Sequence, residues 1–358
     1  MYKILKIILT NILIFLFFLI PIEIIFGNWL KKDNLGNLLI PKYSRNIITN
    51  PPYEWPYNNG IYSRDKYGFR ANNQNLKEID ILVIGGSTTA ERYVQDEFIW
   101  TKVLERNLQK YNIDKKILNA GIGGQTSFGH IKMFDLWFSN LENLKPQIII
   151  FYIGINDALF MNEHSQAHSQ GRIFNNINID SLVPVKFHEK IVQNIKNNSA
   201  LHLLYLIVRG NIISKKNQIG HNINLYNDKD ITSSTVSKNK DLLKYYEQPR
   251  YEYIKEYLYY YKNNLKKLLK ITNERNAKVI FVTQVVAKNN WLVDQLSVIN
   301  KETISFCVKH NISCLDIEKY NIFEDKKDFF DTMHTTPFGS EKVGKIIAKF
   351  IYEKVNLN

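Results

Sequence analysis

The chain has 358 residues, of which 45% are hydrophobic, enough to bury a large core in one sizeable domain once a short N-terminal segment is set aside. Its formal net charge is +13, yet the lysines are scattered among Asn, Ile and Tyr. No zinc-finger, RNP or basic-zipper pattern accompanies them, so nucleic acid is not the expected partner, while attraction to anionic lipids or glycans stays open. Cys307 and Cys314 are too few for a disulfide framework and are read as two buried thiols, with a single disulfide permitted if the domain lies outside the cytoplasm. His164 and His168 have no third ligand beside them, and dinucleotide and P-loop fingerprints are missing, so neither a metal nor a cofactor is expected.

Residues 7–27 are almost wholly apolar, with Lys3 and Lys6 before them and Lys31 and Lys32 after. Such a run crosses a bilayer as one helix. A secretory signal peptide is the competing reading, but the run is long for one and no small-x-small cleavage site follows. An uncleaved single-pass anchor is therefore expected, with the rest of the chain in the periplasm or at the exterior. Pro21 and Glu23 weaken the span, although a carboxylate near one end can reach the interface. Residues 31–77, rich in Asn, Pro, Tyr and Gly, read as irregular structure or short hairpins on the membrane side.

A regular alternation follows. Strands are predicted over 79–84, 116–119, 147–153, 278–283 and 313–317, with helices over 99–110, 134–141, 251–272, 293–310 and 339–355. Residues 158–248 break the pattern: they are polar apart from an apolar patch at 201–208, and read as an insertion that either covers an active-site mouth or is loosely ordered. The expected organisation is an anchor over 1–30, an irregular membrane-proximal segment over 31–77, and a domain over 78–358 with an insertion at about 160–248. Strands alternating with helices imply an α/β fold, a mainly parallel five-stranded sheet covered on both faces, with ligands beyond the strands' carboxyl ends.

Several chemistry-bearing stretches fall at those ends. ILVIGGSTTA, 81–90, places Ser87 where a strand hands over to a helix, which suits a nucleophile, though taken alone the segment is the ordinary pattern of a helix cap. NAGIGGQTS, 119–127, lets the backbone approach a ligand closely at Gly121, Gly123 and Gly124. GIND, 154–157, supplies an asparagine amide able to donate to an oxyanion, though Asn-Asp is also ordinary turn chemistry. DTMH, 331–334, sets a histidine three residues after an aspartate, so that the carboxylate can fix the ring while the outer nitrogen faces a serine.

In order and spacing these four blocks resemble those of the SGNH hydrolases, or GDSL-like lipases and esterases, over roughly 78–353 with the insertion unmatched. The resemblance implies a three-layer α/β/α sandwich. It implies Ser87 as nucleophile, His334 as base, Asp331 as its orienter, and an oxyanion hole from the Ser87 and Gly124 amides and the Asn156 side chain. It departs at Gly86, where the family usually has aspartate. KYGFR, 66–70, together with the anchor, looks like an envelope-associated subgroup that includes hydrolases and acyltransferases of cell-surface polysaccharides. The expected function is a serine ester hydrolase acting on O-acyl groups of envelope polysaccharide or a similar ester. An O-acyltransferase with the same acyl-enzyme, or a tethered binding protein without turnover, stays open.

Overall fold

The computed structural model describes residues 2–27, 29–30, 40, 42, 44–48, 51–54, 60–72, 74–161, 195, 198–202, 204–205, 208 and 250–355. His164, His168 and most of the expected insertion, like Lys31 and Lys32 after the apolar run, lie outside the described residues. The chain divides into two compact units, residues 1–39 with 176–222 and residues 40–175 with 223–358.

The first unit contains α1 (Tyr2–Phe26), a helix of 25 residues with Pro21 inside it. At 1.5 Å per residue it is about 37 Å long, more than the ~30 Å of a bilayer's hydrocarbon. Its apolar window has a mean hydropathy of 2.5 and none of it is buried by the rest of the chain.

The second unit is built on a sheet of β3 (Ile81–Gly85), β4 (Ile117–Asn119), β5 (Ile148–Tyr152), β6 (Lys278–Val282) and β7 (Ser313–Leu315) in the order β4-β3-β5-β6-β7. Every neighbouring pair is parallel. β3 and β5 are buried along their whole length, as central parallel strands with ILVIG and IIIFY sequences must be. Alternate residues feed two cores. Ile81, Val83, Ile148, Ile150 and Ile280 pack with Trp100 and Leu104 of α3 (Trp100–Lys110) and with Val343 and Ile347 of the C-terminal helix Pro337–Lys354. On the other face Phe151 stacks on Phe281 and meets Phe134 of α4 (Ser127–Leu136), while Phe281 meets Phe306 of the helix Val293–His310. Helices on both sides of one parallel sheet give the expected α/β/α layers.

Two local differences from the sequence reading have clear causes. The helix expected over 134–141 is α4, which starts seven residues earlier. Thr126 caps it, its side chain accepting from the Gly129 amide, so QTS belongs to a helix start as well as to the glycine-rich loop. Cys307 and Cys314, read as two buried thiols, are joined as a disulfide across a Cα separation of 6.1 Å, within the span such a bond allows.

The segment just ahead of the expected boundary at 78 packs on the sheet. β1 (Ser44–Ile48) and β2 (Gly60–Arg64) form an antiparallel hairpin, and the KYGFR segment after it is locked into the sheet domain. The Arg70 amide donates to the Asn119 carbonyl at 3.0 Å, extending pairing from β4. Its guanidinium is fully buried: Nε donates to Ala90 O at 3.0 Å, one terminal nitrogen donates to Val94 O at 2.6 Å, and the other pairs with Asp96. Burial pulls this guanidinium down to about 10, leaving it charged at neutral pH. Arg64 donates to Gly121 O at 2.8 Å. These bonds hold the two glycine-containing loops, after β3 and after β4, from outside the sheet. Arg70→Leu should therefore lower the unfolding free energy by about 3–5 kcal/mol, because Asp96 is left without its buried partner. An unchanged urea midpoint would show that 66–70 does not brace the domain.

Candidate active site

The junction after β3 sets the first side chain. Gly86 is the residue ahead of α2 (Ser87–Ala90), and the amides of Thr89 and Ala90 both donate to its carbonyl. Ser87 is thus the first helical residue and not the cap, and its half-buried hydroxyl points elsewhere. Its partner comes from 247 residues further along the chain. Ser87 Oγ lies 2.8 Å from His334 Nε2, and His334 Nδ1 lies 2.6 Å from Asp331 Oδ2.

Asp331 also accepts from the His334 amide at 2.7 Å and from the Met333 amide at 3.2 Å, closing its own turn. Although burial pushes the other way, the hydrogen bond and charge of His334 hold the Asp331 carboxyl below the usual carboxylate range. Being ionised, it can only accept, so Nδ1 carries the proton and Nε2 is free to accept from Ser87. Thr332, between them, has φ +67°, costly for a β-branched residue. It is held there by the Ala287 amide on its carbonyl at 2.8 Å and by Asn290 Nδ2 on its hydroxyl at 2.6 Å.

Gly124 and Asn156 lie in the neighbouring loops. Gly124, with φ +76°, stands between Gly123 and Gln125. A methyl added at Gly123 would come within 3.8 Å of Ser87 Cβ, and the Gln125 carbonyl accepts from Asn156 Nδ2 at 2.9 Å. Gly124 is therefore flanked by Gly123, which faces Ser87, and by Gln125, which is bonded to Asn156. The second hydrogen on Asn156 Nδ2 is not used by that bond. A Cβ at position 86 would sit 2.5 Å from Asn156 Nδ2, so the asparagine amide lies directly against the serine loop at the position that departs from the usual aspartate.

Several residues that sequence reasoning did not single out support these loops. Glu91, buried at 4% exposure and in left-handed conformation with φ +44°, joins the serine loop to the histidine loop. It accepts from the Trp100 amide at 2.7 Å, from Thr335 Oγ1 at 3.0 Å and from Ser340 Oγ. Gln284, just past β6, donates to Thr88 Oγ1 at 2.6 Å and accepts from the Ile155 amide at 2.7 Å, tying the serine loop to GIND. Asp157 accepts from the Ser127 amide at 2.9 Å and from Ser127 Oγ at 2.6 Å, tying GIND to the start of α4. The signal that could have found Gln284 is the polar pair Thr283 and Gln284 following the apolar run of β6; Glu91 and Asp157 give no comparable sign.

A cavity of about 290 Å³ opens past β6, lined by Gln284, Val285, Lys288, Phe323 and Asp325 among others, but not by Ser87, Asp331 or His334. Among the described residues no three His, Cys, Asp or Glu side chains gather as a metal site.

Burial pushes the Glu91 carboxyl up to about 7, against the opposing hydrogen bonds from Ser340, Trp100 and Thr335 and the charge of Arg70. Its native proton is held more tightly than the unfolded one, so the contribution of Glu91 to stability is full below the ordinary carboxyl range and is lost as pH rises toward and through about 7. Glu91→Gln should flatten that part of the thermal midpoint's pH profile; an unaltered slope would mean that Glu91 is not the group responsible.

The family model described as the GDSL-like Lipase/Acylhydrolase family matches residues 83–342, which includes every loop of the site. No curated protein matches the chain. Among solved structures it is similar to the psychrotrophic esterase EstA from Pseudoalteromonas sp., at 14% identity and TM-score 0.42, over 76% of this chain and 96% of that one. It is also similar to Axe2, an acetylxylan esterase from Geobacillus stearothermophilus, at 11% identity and TM-score 0.41, over 78% and 95%. A GDSL-like lipase from Bacteroides thetaiotaomicron matches at 13% identity and TM-score 0.38, over 79% and 91%. The chain belongs to the GDSL-like lipase and acylhydrolase family and is an ester-hydrolysing enzyme.

Proposed function

We propose that this protein is a membrane-tethered serine esterase that removes O-acyl groups from cell-envelope polysaccharide, working outside the cytoplasm through Ser87, His334 and Asp331. The observation that carries the catalytic part is the 2.8 Å contact between Ser87 Oγ and His334 Nε2, with Asp331 behind the ring at 2.6 Å. His334 takes the serine proton as the hydroxyl attacks the acyl carbonyl, and the buildup of positive charge on the imidazole is balanced by ionised Asp331. The oxyanion is received by the Ser87 amide, which precedes the first helical hydrogen bond, by the Gly124 amide and by the second Nδ2 hydrogen of Asn156. The protonated His334 then delivers its proton to the departing sugar oxygen. Water attacks the acyl-enzyme with His334 again as base.

The substrate and location rest on other features. A net charge of +13 favours an anionic glycan, the apolar α1 is long enough to anchor the chain, and the Cys307–Cys314 disulfide belongs to an oxidising compartment. The N-terminal segment over 1–30, the membrane-proximal 31–77 and the catalytic domain from 78 onward then form one tethered enzyme.

A fluorophosphonate probe should label the wild-type chain and not Ser87→Ala. Equal labelling of the two would remove Ser87 from the nucleophile's place. Asn156→Ala should lower kcat by about 10²–10³-fold with little change in KM, as loss of one oxyanion donor does. A change confined to KM would mean that Asn156 binds substrate without stabilising the oxyanion. Incubation with O-acetylated envelope glycan should release free acetate; acetyl groups appearing instead on an added sugar acceptor would identify a transferase.

A further inference from the structure

Glu23 is the one carboxylate in the apolar helix α1, and it is not left bare. Its Oε1 accepts from Ser199 Oγ at 2.8 Å and from the Leu201 amide at 3.1 Å. Its Oε2 accepts from the Ala200 amide at 2.8 Å and from Trp29 Nε1 at 2.8 Å. Two of these donors are backbone amides at the start of a second helical stretch, seen at residues 200–202, 204, 205 and 208. Ser199 caps that stretch from its own side, accepting from the His202 amide at 3.1 Å. The negative carboxylate thus sits where a helix start presents free amides and partial positive charge.

A second contact brings the same two segments together. Gly27 is buried, and a Cβ there would fall 2.6 Å from the Asn198 carbonyl oxygen, so the backbones touch at the end of α1. A carboxylate is expensive inside a bilayer unless it finds partners, and here the second segment supplies three of its four hydrogen bonds.

The second stretch has the surface of a lipid-facing helix. In sequence 200–208 reads ALHLLYLIV, without a charged residue. Leu201, Leu204, Tyr205 and Val208, spaced to lie on one helix face, are 42%, 55%, 55% and 48% exposed. They belong to the same compact unit as α1, whose apolar side chains are themselves exposed. An apolar stripe continuous with a helix built to cross a membrane fits acyl chains better than water.

We propose that the helical stretch seen at residues 200–202, 204, 205 and 208 is seated in the membrane as a second element, pinned to the anchor by Glu23, with the Leu201, Leu204, Tyr205 and Val208 face buried in lipid. The proposal rests on α1 being an anchor, and the test separates the two. Nitroxide labels are placed singly in the full chain by Phe15→Cys, Leu204→Cys and Val308→Cys, with the native disulfide kept oxidised. The protein is reconstituted in phosphatidylcholine–phosphatidylglycerol vesicles, and collisions with oxygen and with a water-soluble nickel chelate are measured. The label at 204 should follow the label at 15, favouring oxygen several-fold, and differ from the label at 308, which sits on an exposed position of the sheet domain. A label at 204 that follows 308 while 15 stays in lipid overturns the proposal and leaves the anchor standing. Nickel access at both 15 and 204 overturns the anchor as well. Protection of 204 from both reagents means a protein covers it, and also overturns the proposal. Adding Glu23→Ala should raise nickel access at 204 several-fold; no change would remove Glu23 from the role of pin.

Discussion

One buried carboxylate ties together the loops that bring Ser87 and His334, the groups proposed to react, within 2.8 Å of each other. Ser87 and His334 are supplied by opposite ends of the sheet domain's sequence, and nothing covalent keeps their loops in register. Glu91 spans the gap. It leaves the serine turn in a left-handed conformation and accepts hydrogen bonds from Trp100 at the head of α3, and from Thr335 and Ser340 beside and below the histidine. A buried acceptor with three donors is costly to disturb, since removing any partner leaves an unsatisfied group away from water. The serine and histidine loops are therefore braced by a group that touches neither Ser87 Oγ nor the His334 ring.

The other loops are tied in the same way, each by a polar side chain that reaches across the carboxyl edge of the sheet. Gln284 links the serine loop to GIND, Asp157 links GIND to the first residue of α4, and Arg64 and Arg70 clamp the loops after β3 and β4 from the hairpin side. The sheet provides a flat row of strand ends, and these bonds turn that row into a rigid constellation. Such preorganisation is what lets an oxyanion hole act without reorganising during the reaction.

The sheet and its helices were legible in the sequence because buried parallel strands such as ILVIG and IIIFY are continuous apolar runs, and because the amphipathic spacing of α3 and of the C-terminal helix is regular. The loops carrying Ser87, Gly124, Asn156, Asp331 and His334 stood out for another reason: each block alone is ordinary cap or turn chemistry, but the four follow one another in order at or near the strands' carboxyl ends. The bracing groups were not. Glu91 in the run AERY looks like a surface carboxylate, and its burial follows only from where α3 and the histidine loop pack. KYGFR was visible as a motif, but its Pro- and Asn-rich surroundings read only as irregular structure or short hairpins, since a hydrogen bond from Arg70 to Asn119 leaves no periodic trace. Pairing of Cys307 with Cys314 depended likewise on how the last turn of a helix faces β7.

The most direct test of the account asks whether acyl chemistry passes through Ser87 with His334 as its base. The full-length enzyme is mixed rapidly with an activated acetyl ester, quenched in acid, digested and mapped by mass spectrometry. The account predicts an early release of about one leaving group per chain, with the acetyl group on Ser87, and loss of both signals in His334→Ala. Steady turnover with no acetyl on Ser87, or an acetyl adduct at Ser87 that forms equally fast without His334, would contradict it.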